Sequence, residues 1–544
     1  MQEKWWKNAV IYQIYPRSFM DSNNDGVGDL KGIISKLDYL AFLGIDAIWL
    51  SPIFESPMED NGYDISDYHK IAPVFGTMED MDTLIAEAKK RNIRIIMDLV
   101  ANHISKEHKW FKEALKGSDN PYHDFFYWRD KADDKESSFG GSSWEYVDHL
   151  NKYYYHYFAK GQIDLNWTNP QVRKEIANIV NWWLDKGVVG FRMDAIELIG
   201  KDLDKGIFAN GPMIHEYLRE LNANSFGLKE DSITVGEGWP TPEIAIDYSC
   251  PENKELDMMF NFESAASIYL PENNPLGKFD PKRIDLVKLK AIFKKWQTKL
   301  YNKAWNALFF ENHDLPRSVT AFGNDRFYRE ESAKALATML LMMQGTPYIY
   351  QGEEIGMTNA YFTKLSDYQD IDSLGHYKAF VEDKKITSHE KFMEGLQKGS
   401  RDNARTPMQW DDSVNAGFNT GAKTWLKVTP NYKEVNVKNC LENKNSIFYT
   451  YKNLIQLRKS EEYKDVILNG TFELYLEDDP YLFVYARKYE NKTLLTVINF
   501  DDDNHSINLD VNIKKQLLSN YKDSPNSLNE ATLRPFEAVV YELN

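Results

Sequence analysis

The chain has 544 residues, 42% of them hydrophobic and 14% aromatic, enough to bury a large core over more than one domain and too much for a small binding module. A formal net charge of −17, a pI near 5.3 and the lack of any Lys/Arg-rich block exclude nucleic acid as a natural partner, because a polyanion is repelled over most of such a surface. Only two cysteines occur, charge stands near the N-terminus where a signal peptide carries its apolar core, and no apolar run reaches membrane-spanning length, so a cytoplasmic protein with no membrane partner and no disulfide framework is expected.

In chain order, the first β-rich apolar runs are residues 10–15, 45–50 and 93–99, with an amphipathic helix expected over 78–91. Between the first two runs lies Asp21-Ser22-Asn23-Asn24-Asp25-Gly26-Val27-Gly28-Asp29, which sets oxygen donors at alternate positions around a tight turn at Gly26. This is the first half of an EF-hand loop, but its twelfth position is Gly32 where the switch needs Glu, so an EF-hand switch is excluded. A structural Ca²⁺ held by Asp21, Asn23, Asp25, the Val27 carbonyl and Asp29 is expected; Mg²⁺ or a bare Asp/Asn-rich turn are the alternatives. No catalytic cofactor is expected.

Roughly ninety residues separate the third run from the fourth, where a strand-helix-strand unit needs about thirty. Residues 103–172, rich in Tyr, Trp, Gly, Ser and Asp and without clean helical periodicity, therefore read as an irregular inserted domain. A helix over 169–186 follows, then five more apolar runs at 188–193, 233–236, 256–260, 305–310 and 346–350. Eight runs alternating with helices predict an α/β fold, a closed (β/α)₈ TIM barrel. After a helical stretch at 447–461 the pattern turns to alternating strands, as at 471–477 and 494–500, which predicts a C-terminal antiparallel β-sandwich. The expected division is barrel over 1–102 and 173–464, insertion over 103–172 and sandwich over 465–544.

Several barrel runs end in acids. In Gly190-Phe191-Arg192-Met193-Asp194 the strand period of two turns Arg192 and Asp194 to one face, and a neighbouring guanidinium favours an ionised carboxylate. Alone, this motif fits a structural ion pair equally well. Glu237 follows the run at 233–236 and stands near Trp239, whose apolar surface is expected to raise the carboxyl into a proton-holding range. Asp314 follows the run at 305–310, and Asp98 ends the run at 93–99. A barrel gathers its strand ends at one mouth, so these acids are expected to converge. One charged and one protonated carboxylate are what retaining glycoside hydrolysis uses, Asp194 attacking the anomeric carbon and Glu237 protonating the leaving oxygen.

The segments Asp98-Leu99-Val100-Ala101-Asn102-His103, Gln162-Ile163-Asp164-Leu165-Asn166-Trp167, Gly190 to Asp194, Val235-Gly236-Glu237 and Asn312-His313-Asp314, with the start at 10–17, together resemble glycoside hydrolase family 13, the α-amylase family, over essentially the whole chain. The resemblance implies Asp194 as nucleophile, Glu237 as acid/base and Asp314 as the third acid holding sugar hydroxyls. It also implies that Tyr63 stacks on the bound glucose and that His103, Arg192 and His313 bond its hydroxyls or the nucleophile.

Asp60-Asn61-Gly62-Tyr63 and the segment from Arg401 to Trp410 are similar to the oligo-1,6-glucosidase, dextran glucosidase and maltase branch. In that branch an Asp and an Arg matching Asp60 and Arg401 close the pocket behind the terminal glucose, with Arg405 the competing arginine, and action on small oligosaccharides is from the chain end. Ala195 resembles the α-1,4-active members, where α-1,6-specific ones carry Val, which inclines the expectation toward maltose-type activity, whereas Trp239 resembles the aromatic of dextran glucosidases and points back toward α-1,6; the two signals conflict. Ile163 replaces a frequent Pro, with little effect expected. Sucrose isomerases and trehalose-type transferases share the acids, but residues 269–284 lack the Arg-Asp-rich run of the isomerases. A non-catalytic sugar-binding or transporter-associated subunit would be expected to lose one of the three acids, and all three are present. A monomer or weak homo-oligomer is expected.

Overall fold

Eight parallel strands close into a barrel in strict chain order: β1 (Ile11–Ile14), β2 (Ala47–Leu50), β3 (Arg94–Val100), β4 (Gly190–Asp194), β5 (Ile233–Gly236), β6 (Met258–Phe260), β7 (Asn306–Leu308) and β8 (Thr346–Tyr350), with β8 returning to β1. This computed structural model describes residues 4–269, 274–421 and 423–544; the first three residues, and residues 270–273 of the stretch 269–284, lie outside them. Every predicted run is a barrel strand. The runs carry continuous rather than alternating apolar character because a strand in such a barrel is covered on both faces: every residue of β1, β2 and β8 is buried.

The helices outside have the end signals their sequences supply. Met78–Lys90 begins at Thr77 and Asp80, whose side chains each accept from the other's backbone N–H in a capping box. Pro170–Lys186 starts with Asn169 accepting from Gln171 N–H and Pro170 at its first position, and stops at Gly187 with φ 107°. At the barrel wall Gly190 is required by space: a Cβ there would stand 1.8 Å from the Ile233 carbonyl oxygen of the adjacent strand.

The insertion holds two small antiparallel sheets. His103–Ser105 pairs with Gln162–Asp164, and Lys152–Tyr155 lies between Trp128–Arg129 and Trp144–Val147. It is pinned to the barrel by a fully buried ammonium: Lys201 Nζ, on the loop after β4, lies 2.8 Å from Asp164 Oδ2 and donates to Asn102 Oδ1 at 2.6 Å. In the C-terminal region a five-stranded antiparallel sheet faces a two-stranded one. Along Leu482–Tyr489 the period of two is visible: Leu482, Val484 and Ala486 pack towards the second sheet, while Phe483 and Tyr485 join the barrel core. Tyr485 Oη donates to the Met339 carbonyl, joining the two bodies. No helix among the described residues is long and apolar enough to cross a membrane.

Candidate active site

The C-terminal ends of the strands open into a cavity of about 320 Å³ that the insertion overhangs. Its lining includes Asp60, Tyr63, His103, Asp194, Glu237, Trp239, Asp314 and Arg401, eight of the ten catalytic and sugar-contacting residues expected from sequence. The other two, Arg192 and His313, lie fully buried and bonded to that lining.

Strand register builds the centre. Arg192 on β4 sits opposite Asp98 on β3 and Val235 on β5, so its guanidinium meets the acids that end all three strands. It lies 2.8 Å from Asp98 Oδ1, 2.6 Å from Asp194 Oδ1 and 2.7 Å from Glu237 Oε2. Its flat face lies against Trp49 and Tyr63, whose side chains also donate to Asp98 Oδ2.

One cation shared among three buried carboxyls cannot offset their desolvation. Burial, opposed by Arg192 and reinforced by Asp98 and Asp314, pushes the Asp194 carboxyl up to about 7. Burial, opposed by Arg192 and reinforced by Asp194 and Asp314, lifts Glu237 to about 7 as well, and burial carries Asp98 to about 6. This corrects two expectations. Arg192 does not secure an ionised Asp194 by itself, and the rise at Glu237 comes from burial and neighbouring charge. Trp239 is 51% exposed, with its ring 4.9 Å from Phe262.

The loops after β4 and β5 are joined by backbone bonds. Glu237 N–H donates to the Met193 carbonyl, Ile196 N–H to the Glu237 carbonyl, and Ala195 N–H to Glu237 Oε2 at 2.9 Å. The last bond needs Ala195 in the left-handed region, φ 41° and ψ 41°, a conformation that costs a non-glycine residue about 1 kcal/mol.

The inner end of the cavity has a different composition. Arg401 donates to Asp60 Oδ1 at 3.2 Å, to Asp314 Oδ1 at 3.1 Å and, through two nitrogens, to Asp370 Oδ1. Arg405 donates to the same Asp314 oxygen at 2.8 Å and to the His313 carbonyl. Of the two candidate arginines, Arg401 is therefore the one that meets Asp60, and both meet Asp314. Burial works to raise Asp314, but the His313 ring and both guanidiniums hold it well below the usual carboxylate range. Since burial also pushes His313 down to about 4, that ring is neutral at neutral pH and the two arginines carry the effect. Asp60 rises to about 6 through burial, against the pull of Arg401.

The two histidines position neighbours. Gln13 Nε2 donates to His313 Nδ1 at 2.8 Å, and His313 stacks on Tyr63 at 5.2 Å with the rings parallel within 1°. His103 Nε2 donates to the Tyr63 carbonyl while Asn102 donates to Nδ1; burial holds this ring neutral too, at about 4. Sequence reading missed Gln13, although it stands within the family-like start at 10–17, and also Asp370, the wall residues Phe139 and Phe158, and Glu197 at the mouth, all of which lie outside the matched segments.

The Asp21–Asp29 loop lies apart from this cavity and is bonded to Phe418, Asn419, Thr420 and Trp425. Asp21 accepts from the N–H groups of Asn23, Asn24 and Gly26, Asn23 from Asp25 and Asp25 from Val27, while Asp29 accepts from Ser22 and caps the following helix. No group of three or more His, Cys, Asp or Glu side chains arranged to hold a metal occurs among the described residues.

Residues 13–466 match the family model of the α-amylase catalytic domain, and residues 482–540 that of the C-terminal domain of the α-amylase SusG. The chain is 52% identical over its whole length to a glucan 1,6-alpha-glucosidase of Streptococcus pneumoniae and 50% identical to an oligo-1,6-glucosidase of Parageobacillus thermoglucosidasius, each relative covered completely. Its fold superposes with a TM-score of 0.94 on an isomaltulose synthase of Erwinia rhapontici solved with sucrose, 40% identical, with all of both chains covered. With a barrel of this topology, three acids around one mouth and relatives at this identity over the full length, the chain belongs to the α-amylase family, glycoside hydrolase family 13.

Proposed function

We propose that this protein is a retaining α-glucosidase that removes the terminal non-reducing glucose from short oligosaccharides, with α-1,6 links preferred. The observation that carries the reading is the pair Asp194 and Glu237, held on two sides of one guanidinium at the mouth of a pocket whose far end is shut by Asp60 and Arg401. A pocket open at one end accepts a chain terminus and nothing longer behind it, which is exo action.

In this reading Asp194 attacks the anomeric carbon and Glu237 supplies the proton to the departing sugar oxygen. The carboxyl group around Arg192 holds a proton into neutral pH, and the group titrates together rather than residue by residue. The proton belongs on Glu237 Oε1, which makes no hydrogen bond among the described residues, while Oε2 takes those from Arg192 and Ala195. After cleavage Glu237 has lost that proton and serves as base for the water that releases glucose from Asp194. Asp314, fixed as an anion by two arginines, and the neutral His313 ring through Nε2 are left to bond sugar hydroxyls, His103, with both ring nitrogens engaged, holds the Tyr63 backbone in place, and Tyr63 offers its ring to the sugar face.

The linkage preference rests on the two relatives named for α-1,6 activity and on Trp239; Ala195 alone points to α-1,4, and a methyl-scale difference is worth only about 1–3 kcal/mol of discrimination. Progress curves of glucose release from isomaltose, maltose and sucrose, with products resolved by chromatography, test it. Faster isomaltose turnover is expected; faster maltose turnover would make Ala195 decisive, and isomerised sucrose as main product would replace hydrolysis by transfer.

For the loop at Asp21–Asp29 the proposal is a structural Ca²⁺ on Asp21, Asn23, Asp25, the Val27 carbonyl and Asp29. Each Asp21 oxygen and Asp29 Oδ1 already accept two hydrogen bonds, so a cation there would displace internal bonds, while each Asp25 oxygen accepts only one and keeps capacity for a hard cation, which would stiffen the loop without entering the chemistry. The free thiols of Cys250 and Cys440 suit a reducing, cytoplasmic setting for a monomer or weak oligomer.

A further inference from the structure

We propose that Glu197 is a positioning residue that fixes Trp239 over the pocket mouth and so sets affinity for the second sugar of the substrate. The inference rests on the α-glucosidase reading and deepens it. Glu197 lies three residues after Asp194, and the short helical turn Ile196–Leu198 brings it beside the loop that follows Glu237. It is 9% exposed, lines the cavity, and its Oε2 accepts the Trp239 backbone N–H at 2.9 Å. The approach is close enough that a Cβ at Gly238 would stand 2.9 Å from that same oxygen, so any larger residue there would push the Glu197 carboxylate aside.

Glu197 is itself held. Its carbonyl accepts the Asn210 N–H at 2.8 Å, Asn210 Nδ2 reaches Oε2 at 3.5 Å, and Tyr248 Oη donates to Asn210 Oδ1 at 2.7 Å. Trp239, in contrast, has half its surface in solvent, and Phe262 is the aromatic ring beside its indole. A side chain with so little packing takes its direction from its backbone, and that backbone is tied to a charged acceptor, the stronger kind of hydrogen bond.

Glu197 makes no hydrogen bond to Asp194, Glu237, Asp314 or Arg401 among the described residues, so its loss leaves the glucose-binding end intact. The consequence falls on the part of the substrate beyond the cleaved bond. α-Glucosyl fluoride has no second sugar and isomaltose has one, and the pair separates the two effects.

The experiment measures both substrates on wild-type enzyme and on Glu197→Ala, Glu197→Gln, Trp239→Ala and the Glu197→Ala/Trp239→Ala double variant. In Glu197→Ala the isomaltose KM is expected to rise about tenfold, the worth of one charge-assisted hydrogen bond, with kcat and the kcat/KM for glucosyl fluoride within about twofold. Glu197→Gln keeps an acceptor for the N–H and should recover most of the loss. Because both changes act on one contact, the double variant should be no worse on isomaltose than the poorer single one. An unchanged isomaltose KM, an equal loss on both substrates, or losses that multiply in the double variant would each overturn the assignment. Failure of the wild-type enzyme to turn over glucosyl fluoride would instead remove the glucosidase reading, and the proposal with it.

Discussion

Two arginine-carboxylate clusters stand at opposite ends of one pocket and do opposite things to their acids. At the mouth, Arg192 alone faces Asp98, Asp194 and Glu237, and all three carboxyls are pushed upward, to about 6, 7 and 7. At the inner end, Arg401 and Arg405 together face Asp314 and Asp370, and both carboxyls are held below their ordinary values, while Asp60, which meets Arg401 alone, is lifted by burial to about 6. Burial is similar in both places, so the ratio of guanidinium to carboxylate decides which acids can hold a proton and which remain fixed anions. A proton donor is needed at the mouth, where the bond breaks, and fixed anions at the inner end, where hydroxyls are gripped.

The sharpest way to test this division is to remove one member from each end. Asp194→Asn, which leaves the fold's packing volume unchanged, is expected to lower kcat on isomaltose by about 10⁴-fold or more with the melting temperature preserved, since no other group can form the covalent intermediate. Substantial turnover in a contaminant-free preparation would take the nucleophile away from Asp194. Arg401→Ala should act on stability as well as on rate. It leaves Asp60 and Asp370 buried with less compensation, a loss of about 3–5 kcal/mol for a broken buried pair, and kcat/KM should fall by about 10²-fold or more as Asp314 loses one of its two partners. Urea denaturation together with steady-state kinetics reads both effects; a purely kinetic effect would mean the inner cluster does not hold the pocket's end together.

The pH profile sharpens the comparison with a smaller effect. The carboxyls around Arg192 titrate together near 7, so kcat/KM for isomaltose should decline on the alkaline side of about pH 7 as the shared proton leaves and no acid remains for the departing sugar oxygen. Glucosyl fluoride, whose leaving group needs no proton, should show a weaker alkaline fall. Equal alkaline limbs would place the titrating proton elsewhere. The smallest effect is expected far from both clusters: a chelator should lower the melting temperature by about a few degrees through loss of cation binding to the Asp21–Asp29 loop, with kcat per folded enzyme unchanged. An unaltered melting curve would mean that the loop's own hydrogen bonds are sufficient.

The barrel was legible because each strand is a short run of β-rich apolar residues buried on both faces, and the acids were legible because they end those runs. Charge balance was not, since it depends on how many carboxyls reach one guanidinium. The pattern at Gly190 to Asp194 shows Arg192 beside Asp194, but nothing local shows that Asp98 and Glu237 draw on the same cation. Arg401 and Arg405 stand four residues apart in one motif, so the sequence offered a choice between them; folded, they share Asp314. Asp370 had no signal at all, being an acid in an unpatterned loop, and Glu197 looked like one more residue after the nucleophile until the loop beyond Glu237 was seen to lean on it.

The seal made by Asp60 and Arg401 has a consequence for traffic. A room with one door empties in a fixed order: the shortened chain blocks the exit of the glucose beneath it, so it must depart first, and water reaches the bond to Asp194 only through the space it vacates. No chain can be drawn through from one cut to the next. Each glucose released from a longer oligosaccharide then costs a fresh encounter, and a digestion stopped early should contain every intermediate length.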